Sequence, residues 1–230
     1  MKKKLCWIAP SRERVLDLKK LIDSFVDNRD FADLFIVIDA DDVESMNFYD
    51  QNKDALIDSG VFFIINKIDF KGAFLHIVNH YVRDLTGKYE FIGFLEDDCV
   101  ILTEHFDTII IQNDHNVIYL NDKATQPPEY AGCPIIKSTV LESLGFYSPP
   151  ELKCLWADKY WKDLGLITNS IKFVENVLVS HEHYSFSSNN KTKDNVGARI
   201  EQWGHEDYVS WNRNKEKFYD HIRKVIVENK

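Results

Sequence analysis

Hydrophobic positions along the chain fall into short unbroken runs, and the stretches between the runs carry helical spacing. Leu5-Cys6-Trp7-Ile8-Ala9 is the first run, halted by Pro10. From Arg14 to Val26 the apolar positions are Val15, Leu18, Leu21, Ile22 and Phe25, the three-and-four spacing of one helix face. Leu34 to Ile38 and Val61 to Ile65 are two more runs, and Gly72 opens a helical stretch through Val82 with Phe74, Leu75, Val78 and Val82 inward. Phe91 to Leu95 is a fourth run. Runs that are apolar at every position, not at alternate ones, predict strands buried on both faces. Their alternation with helices predicts an α/β fold with a mostly parallel sheet between helical layers. In such sheets polar ligands gather at the carboxyl ends of the strands. Pro10-Ser11-Arg12, Asp39-Ala40-Asp41-Asp42 and Glu96-Asp97-Asp98 all fall at those ends.

The second half is less regular. Asn116 to Leu120 predicts a short strand followed by Asn121-Asp122, and Ser138 to Leu144 a helix. Pro149-Pro150 breaks the chain before an aromatic-rich stretch from Leu152 to Leu164 that holds Trp156 and Trp161. Phe173 to Val179 reads as a strand ending at Ser180-His181-Glu182-His183. A polar loop from Ser185 to Asp194 follows, and the turns around Phe218 to Val227 suit an amphipathic helix.

Composition narrows the reading without changing it. No repeat or Pro/Gly-rich linker divides the 230 residues, so one domain is expected, with residues 1 to about 100 forming one half and about 101 to 230 the other. No apolar run approaches the roughly 20 residues of a membrane span, and the apolar stretch after Lys2-Lys3-Lys4 is too short for a signal peptide. A cytoplasmic protein is expected. The net charge of −9 weighs against a broad nucleic-acid surface. Cys6, Cys99, Cys133 and Cys154 are widely separated, suggest neither zinc spacing nor a disulfide framework, and are expected to be structural.

Four places carry candidate chemistry. Glu96, Asp97 and Asp98 would repel one another unless a cation or hydrogen-bond donors offset their charge, and a divalent ion such as Mn²⁺ or Mg²⁺ takes carboxylate oxygens readily. A solvated acidic turn before a helix is the plain alternative. His181 and His183 share one face of an extended segment, so one or both are candidate ligands to the same ion; a surface histidine pair is the alternative. Lys191 and Lys193 lie in a polar loop, where a lysine can offset the charge of a departing diphosphate or simply be solvated. Asp158 stands between Trp156 and Trp161, where a carboxylate can accept an acceptor hydroxyl's proton or merely face solvent on a helix.

The pattern resembles GT-A glycosyltransferases, the family-2-like, Rossmann-related fold of three layers. Pro10-Ser11-Arg12 resembles their nucleotide-contacting turn, and Phe94-Leu95-Glu96-Asp97-Asp98 their Asp-x-Asp motif, with Glu96 in place of the first Asp. Asn121-Asp122, Ala157-Asp158 through Trp161, and His181-x-His183 with Lys191 and Asp194 are similar to a compact GT-A-like group frequent in phage and bacterial genomes, from which Tyr184 departs where Pro is expected. The resemblance implies a hexosyl- or pentosyltransferase moving sugar from a nucleotide-diphosphate donor, a UDP-sugar by preference, to a hydroxyl acceptor. That acceptor would be a glycan or, as runner-up, a hydroxylated DNA base of a phage. It implies a nucleotide-binding first half and an acceptor- and metal-completing second half. Asp98, His181 and His183 would hold the metal, and Asp158 would act in catalysis. Donor contacts would come from Pro10, Ser11, Arg12, Asp39, Asp41, Asp42, Glu96, Asp97, Asp122, Lys191 and Lys193. Two rivals stand: a non-catalytic sugar-nucleotide or glycan-binding module, and a two-histidine, one-carboxylate iron oxygenase, which needs a β-rich double-sheet core.

Overall fold

The computed structural model describes residues 2–68, 73–123, 130–182 and 195–227, with only the backbone for 195–201 and 227. The predicted strands are present as β1 (Lys3–Ser11), β2 (Asp33–Asp39), β3 (Val61–Asn66) and β4 (Tyr89–Phe94). Between them run α1 (Val15–Asn28), α2 (Val43–Asp58) and α3 (Phe74–Thr86). The rest of the chain forms β5 (Cys99–Ile101), α4 (Phe106–Ile110), β6 (Val117–Asn121), β7 (Ile135–Lys137), α5 (Ser138–Leu144), α6 (Ala157–Ile167), β8 (Ile171–His181) and α7 (Asn195–Ile222), which ends in a π-helical turn, Arg223–Val227.

Eight strands make one sheet in the order β3-β2-β1-β4-β7-β6-β8-β5. The β1–β2, β2–β3, β1–β4 and β6–β8 pairings are parallel, while β7 and β5 enter antiparallel. Side chains alternate across the sheet and fill two cores. Leu5, Trp7 and Ala9 of β1 pack with α1, α2 and α4 on one face. Cys6 and Ile8 pack with α3, α5, α6 and α7 on the other. This is the three-layer arrangement that the double-faced apolar runs require, and among the described residues there is no double-sheet β core to support the oxygenase reading.

Two close approaches explain particular residues. Gly93 in β4 pairs with Trp7, and a Cβ there would collide with the indole ring. Gly93→Ala therefore forces a buried tryptophan to shift, at a cost of about 1–3 kcal/mol. On α4, Asp107 is fully buried and accepts from the amides of Asp30, Phe31 and Ala32 at 2.7–3.1 Å, fastening the turn from α1 to β2.

Several boundaries differ from the sequence reading. The aromatic stretch becomes helical only at Ala157 because Trp156 holds a left-handed backbone, φ 69°, at the helix start. The last helix begins at Asn195, far before Phe218. The helix predicted from Gly72 starts at Phe74, and Gly72 itself lies outside the described residues.

Candidate active site

The carboxyl ends of β1, β2 and β4 lie side by side, with Ser11 opposite Ile38 and Ile8 opposite Phe94. The chain leaves β4 through Leu95 and turns at Glu96–Asp98, with the Cys99 amide donating to the Glu96 carbonyl at 3.1 Å. It then re-enters the sheet as β5, not as a helix, so the acids are not the N-terminal cap of one. β5 pairs antiparallel with the end of β8, which sets Cys99 opposite His181. The Glu182 amide donates to the Asp98 carbonyl at 2.9 Å and locks the two segments together.

That pairing delivers the predicted convergence. His181 Nε2 lies 3.2 Å from Glu96 Oε2 and 3.2 Å from Asp98 Oδ1. Asp98 is buried, and His181 nearly so. Burial pulls the imidazole toward its neutral form, but the charges of Glu96 and Asp98 outweigh it and push its pKa up to about 12. The ring is therefore an imidazolium whose proton offsets two carboxylates, the same electrostatic demand that a divalent cation meets.

Asp97 faces the other way. It accepts from Ser11 Oγ at 2.8 Å and from Arg14 at 3.2 Å, and Arg14 also lies 3.6 Å from Asp98. Burial raises the Asp97 carboxyl to about 7 against the pull of Arg14. Asp97 thus ties the acidic turn to the end of β1. Arg14, which the sequence marked only as the start of a helical stretch, is a buried cation of this cluster.

The Asp39–Asp42 run is built differently. Arg12 forks onto Asp41 at 2.6 and 3.0 Å and reaches Asp39 at 2.6 Å. Asn66 donates to Asp39 at 2.5 Å, and Tyr81 donates to Asn66 at 3.0 Å. Asp42 is the N-cap of α2: it accepts from Ser45 N at 3.3 Å, Ser45 Oγ at 2.7 Å and the Glu13 amide at 2.8 Å. Its carboxylate is committed to the fold. Pro10 lies in β1 opposite Val37, one residue short of the turn.

Asp158 opens α6 half-buried, and burial raises its carboxyl to about 6; repulsion from Glu96 and Asp122 adds to the shift, while the Lys159 amide, donating at 2.8 Å, opposes it. Asp122 packs against Gly132, where a Cβ would collide with its carboxylate. Asp158 and Asp122 are thereby gathered on the same side as Glu96. One residue escaped the sequence reading: Asp207 on α7, buried, accepts from the amides of Lys153, Cys154 and Leu155 at 2.8–2.9 Å and so fixes the segment leading to Asp158. An acid one turn before Trp211, on the stripe that Trp211, Phe218 and Ile222 bury, was its only signal. His183, Lys191, Lys193 and Asp194 lie outside the described residues.

The four cysteines form no disulfide, and the influence of the Cys133 thiol together with burial raises the Cys99 thiol well above its ordinary value.

No protein-family model matches the chain, and no curated protein sequence does. Solved structures do match. A TarS 1–349 structure from S. aureus in complex with UDP superposes with a TM-score of 0.61 at 15% identity, covering 76% of this chain and 59% of that one. A mannosyltransferase from Pyrobaculum calidifontis, in complex with GDP-Man and Mn²⁺, gives 0.63 at 12% identity, covering 93% and 65%. GalNAc-T7 with UDP, GalNAc and Mn²⁺ gives 0.64 at 10% identity, covering 95% and 50%. The chain spans between 50% and 65% of the length of these three structures. With an eight-stranded, helix-covered sheet and a rim of carboxylates at its strand ends, the chain has the fold of the GT-A glycosyltransferases.

Proposed function

We propose that the protein is a metal-dependent glycosyltransferase that moves a sugar from a nucleotide-diphosphate donor to a hydroxyl acceptor. The observation that carries this reading is the His181 imidazole held 3.2 Å from both Glu96 and Asp98 at the end of β4. An oxygen-and-nitrogen donor set with excess negative charge fits Mn²⁺ or Mg²⁺, and Asp98 and His181 would hold the ion, with His183 next along the chain. When bound, such an ion acts as a Lewis acid and template for a diphosphate leaving group. Structures similar to this one hold UDP, or GDP-Man with Mn²⁺, which supports a nucleotide-sugar donor; a UDP-sugar is our choice.

The remaining residues take roles from their places. Pro10 and Ser11 line the turn that approaches the nucleotide. Arg12, Asp39 and Asp41 form a polar rim for the base or ribose, with Asp122 opposite. Asp97 positions the acidic turn, and Lys191 and Lys193 offset the charge of the departing diphosphate. In an inverting transfer the acceptor oxygen attacks the anomeric carbon, the bond to the diphosphate oxygen breaks, and Asp158 takes the hydroxyl proton. In a retaining transfer Asp158 positions the acceptor. A carboxyl raised to about 6 is a competent base near neutral pH. A glycan is the proposed acceptor, since a net charge of −9 disfavours DNA.

The test is a thermal-shift screen of UDP-, GDP- and CDP-sugars with and without Mn²⁺. A ligand that binds only the folded state raises its melting temperature. A UDP-sugar that stabilises only with Mn²⁺ present supports the reading, and no shift with any nucleotide removes it. Transfer assays at two salt concentrations then separate acceptors: DNA binding weakens steeply with salt, and glycan binding does not. Donor binding without turnover on any acceptor would instead favour a non-catalytic sugar-nucleotide module.

A further inference from the structure

A thiol stands beside the proposed metal ligands, and the transfer proposed above has no use for it. Cys99 sits directly across the β5–β8 pair from His181, so the two side chains leave the sheet on the same face. One ligand atom each from Asp98, Cys99 and His181 lie within 4.8 Å of one another, all in buried or nearly buried positions. Far apart in sequence, Cys99 and His181 meet only because β5 pairs with β8.

The donor set has a chemical preference. Mn²⁺ and Mg²⁺ select oxygen and gain little from sulfur, whereas Zn²⁺ favours thiolate and imidazole in four-coordinate tetrahedral sites. We propose that Cys99, His181 and Asp98 form a zinc site, its fourth position left to water, that overlaps the Mn²⁺ site, so that zinc occupancy and donor binding exclude one another. Zinc binding releases the thiol proton and the imidazolium proton to solvent, leaving a thiolate, a neutral imidazole and a carboxylate on the ion. The site itself depends only on these three side chains; its inhibitory consequence rests on the functional reading above.

Cobalt(II) reports the ligands directly, because thiolate coordination gives an intense charge-transfer absorption that oxygen and nitrogen ligands do not. Titrating the whole protein with Co²⁺ is expected to produce that band, and Zn²⁺ to abolish it by displacement. Cys99→Ser is expected to remove most of the band and weaken Zn²⁺ by about 100-fold, at the upper end of losses seen even for outer-shell changes. Mn²⁺-dependent UDP binding should survive the substitution, which also shows that the variant folds, with Cys99→Ala as a second variant if Cys99→Ser does not. One equivalent of Zn²⁺ should abolish that UDP binding in the unsubstituted protein, and a chelator followed by Mn²⁺ should restore it. Absence of the charge-transfer band, or unchanged zinc affinity in Cys99→Ser, overturns the zinc site. A cobalt–thiolate band in a protein that never binds UDP would instead sink the glycosyltransferase reading and leave the zinc site standing.

Discussion

Two acidic clusters sit at neighbouring strand ends, and they are neutralised in different ways. At the end of β2, Asp39, Asp41 and Asp42 meet permanent donors: the Arg12 fork, the Asn66 amide, the Glu13 and Ser45 amides and the Ser45 hydroxyl. At the end of β4, Asp97 is likewise met by Ser11 and Arg14, but Glu96 and Asp98 converge on an imidazole whose charge is a proton. Permanent donors build structure. A proton can be exchanged for a cation, and that difference separates a folded acidic turn from a candidate catalytic one.

The comparison breaks most sharply at Asp98. Asp98→Asn is expected to weaken Mn²⁺-dependent UDP binding by about 100-fold or more, because it deletes a ligand charge from a buried site. Calorimetry reads this directly, and unchanged affinity would count against the metal site. Arg14→Ala comes next. It leaves Asp97 buried without its cation, and a loss of about 3 kcal/mol in a urea titration is expected. A loss below about 0.5 kcal/mol would mean that Arg14 carries no structural charge.

Asp158→Asn tests the third acid. Its carboxyl is raised to about 6 from an ordinary 3.8, so the folded protein keeps a proton through a range in which the unfolded chain has lost it. Ionisation above about pH 6 therefore costs stability, and that cost vanishes below the ordinary value. The asparagine variant should be more stable by about 1–2 kcal/mol above pH 6, gain nothing near pH 4, bind UDP as before and lose transfer. Retained transfer would remove Asp158 from catalysis. For the same reason the acid limb of the unsubstituted enzyme's kcat/KM profile should fall near pH 6.

The smallest effect belongs to the β2 cluster. Asp42→Ala removes a helix cap and should cost about 1 kcal/mol without altering the Mn²⁺ dependence of UDP binding. Altered metal dependence would erase the distinction between the two clusters.

What the sequence revealed follows from the range of the interactions involved. The strands β1 to β4 were readable because each is apolar on both faces, and α1 and α3 because a single stripe is. Helix α2 was not readable, since Ser45 and Leu56 are its only buried residues and its other apolar residues do not form a stripe. The meeting of Glu96, Asp98 and His181 was foreseeable as two ligand-rich segments at strand ends. Its companions were not: the β5–β8 pairing that aligns Cys99 with His181, the Arg14 bridge and the Asp207 clamp all join residues far apart in the chain. No local pattern encodes such contacts.

The account rests on one ion shared by Asp98 and His181. Pulsed electron paramagnetic resonance of Mn²⁺ bound to the protein with UDP tests it most directly. A hyperfine coupling from a directly bound imidazole nitrogen, lost in His181→Ala, is the predicted result; a Mn²⁺ spectrum with no nitrogen coupling, or one that His181→Ala leaves unchanged, would contradict it.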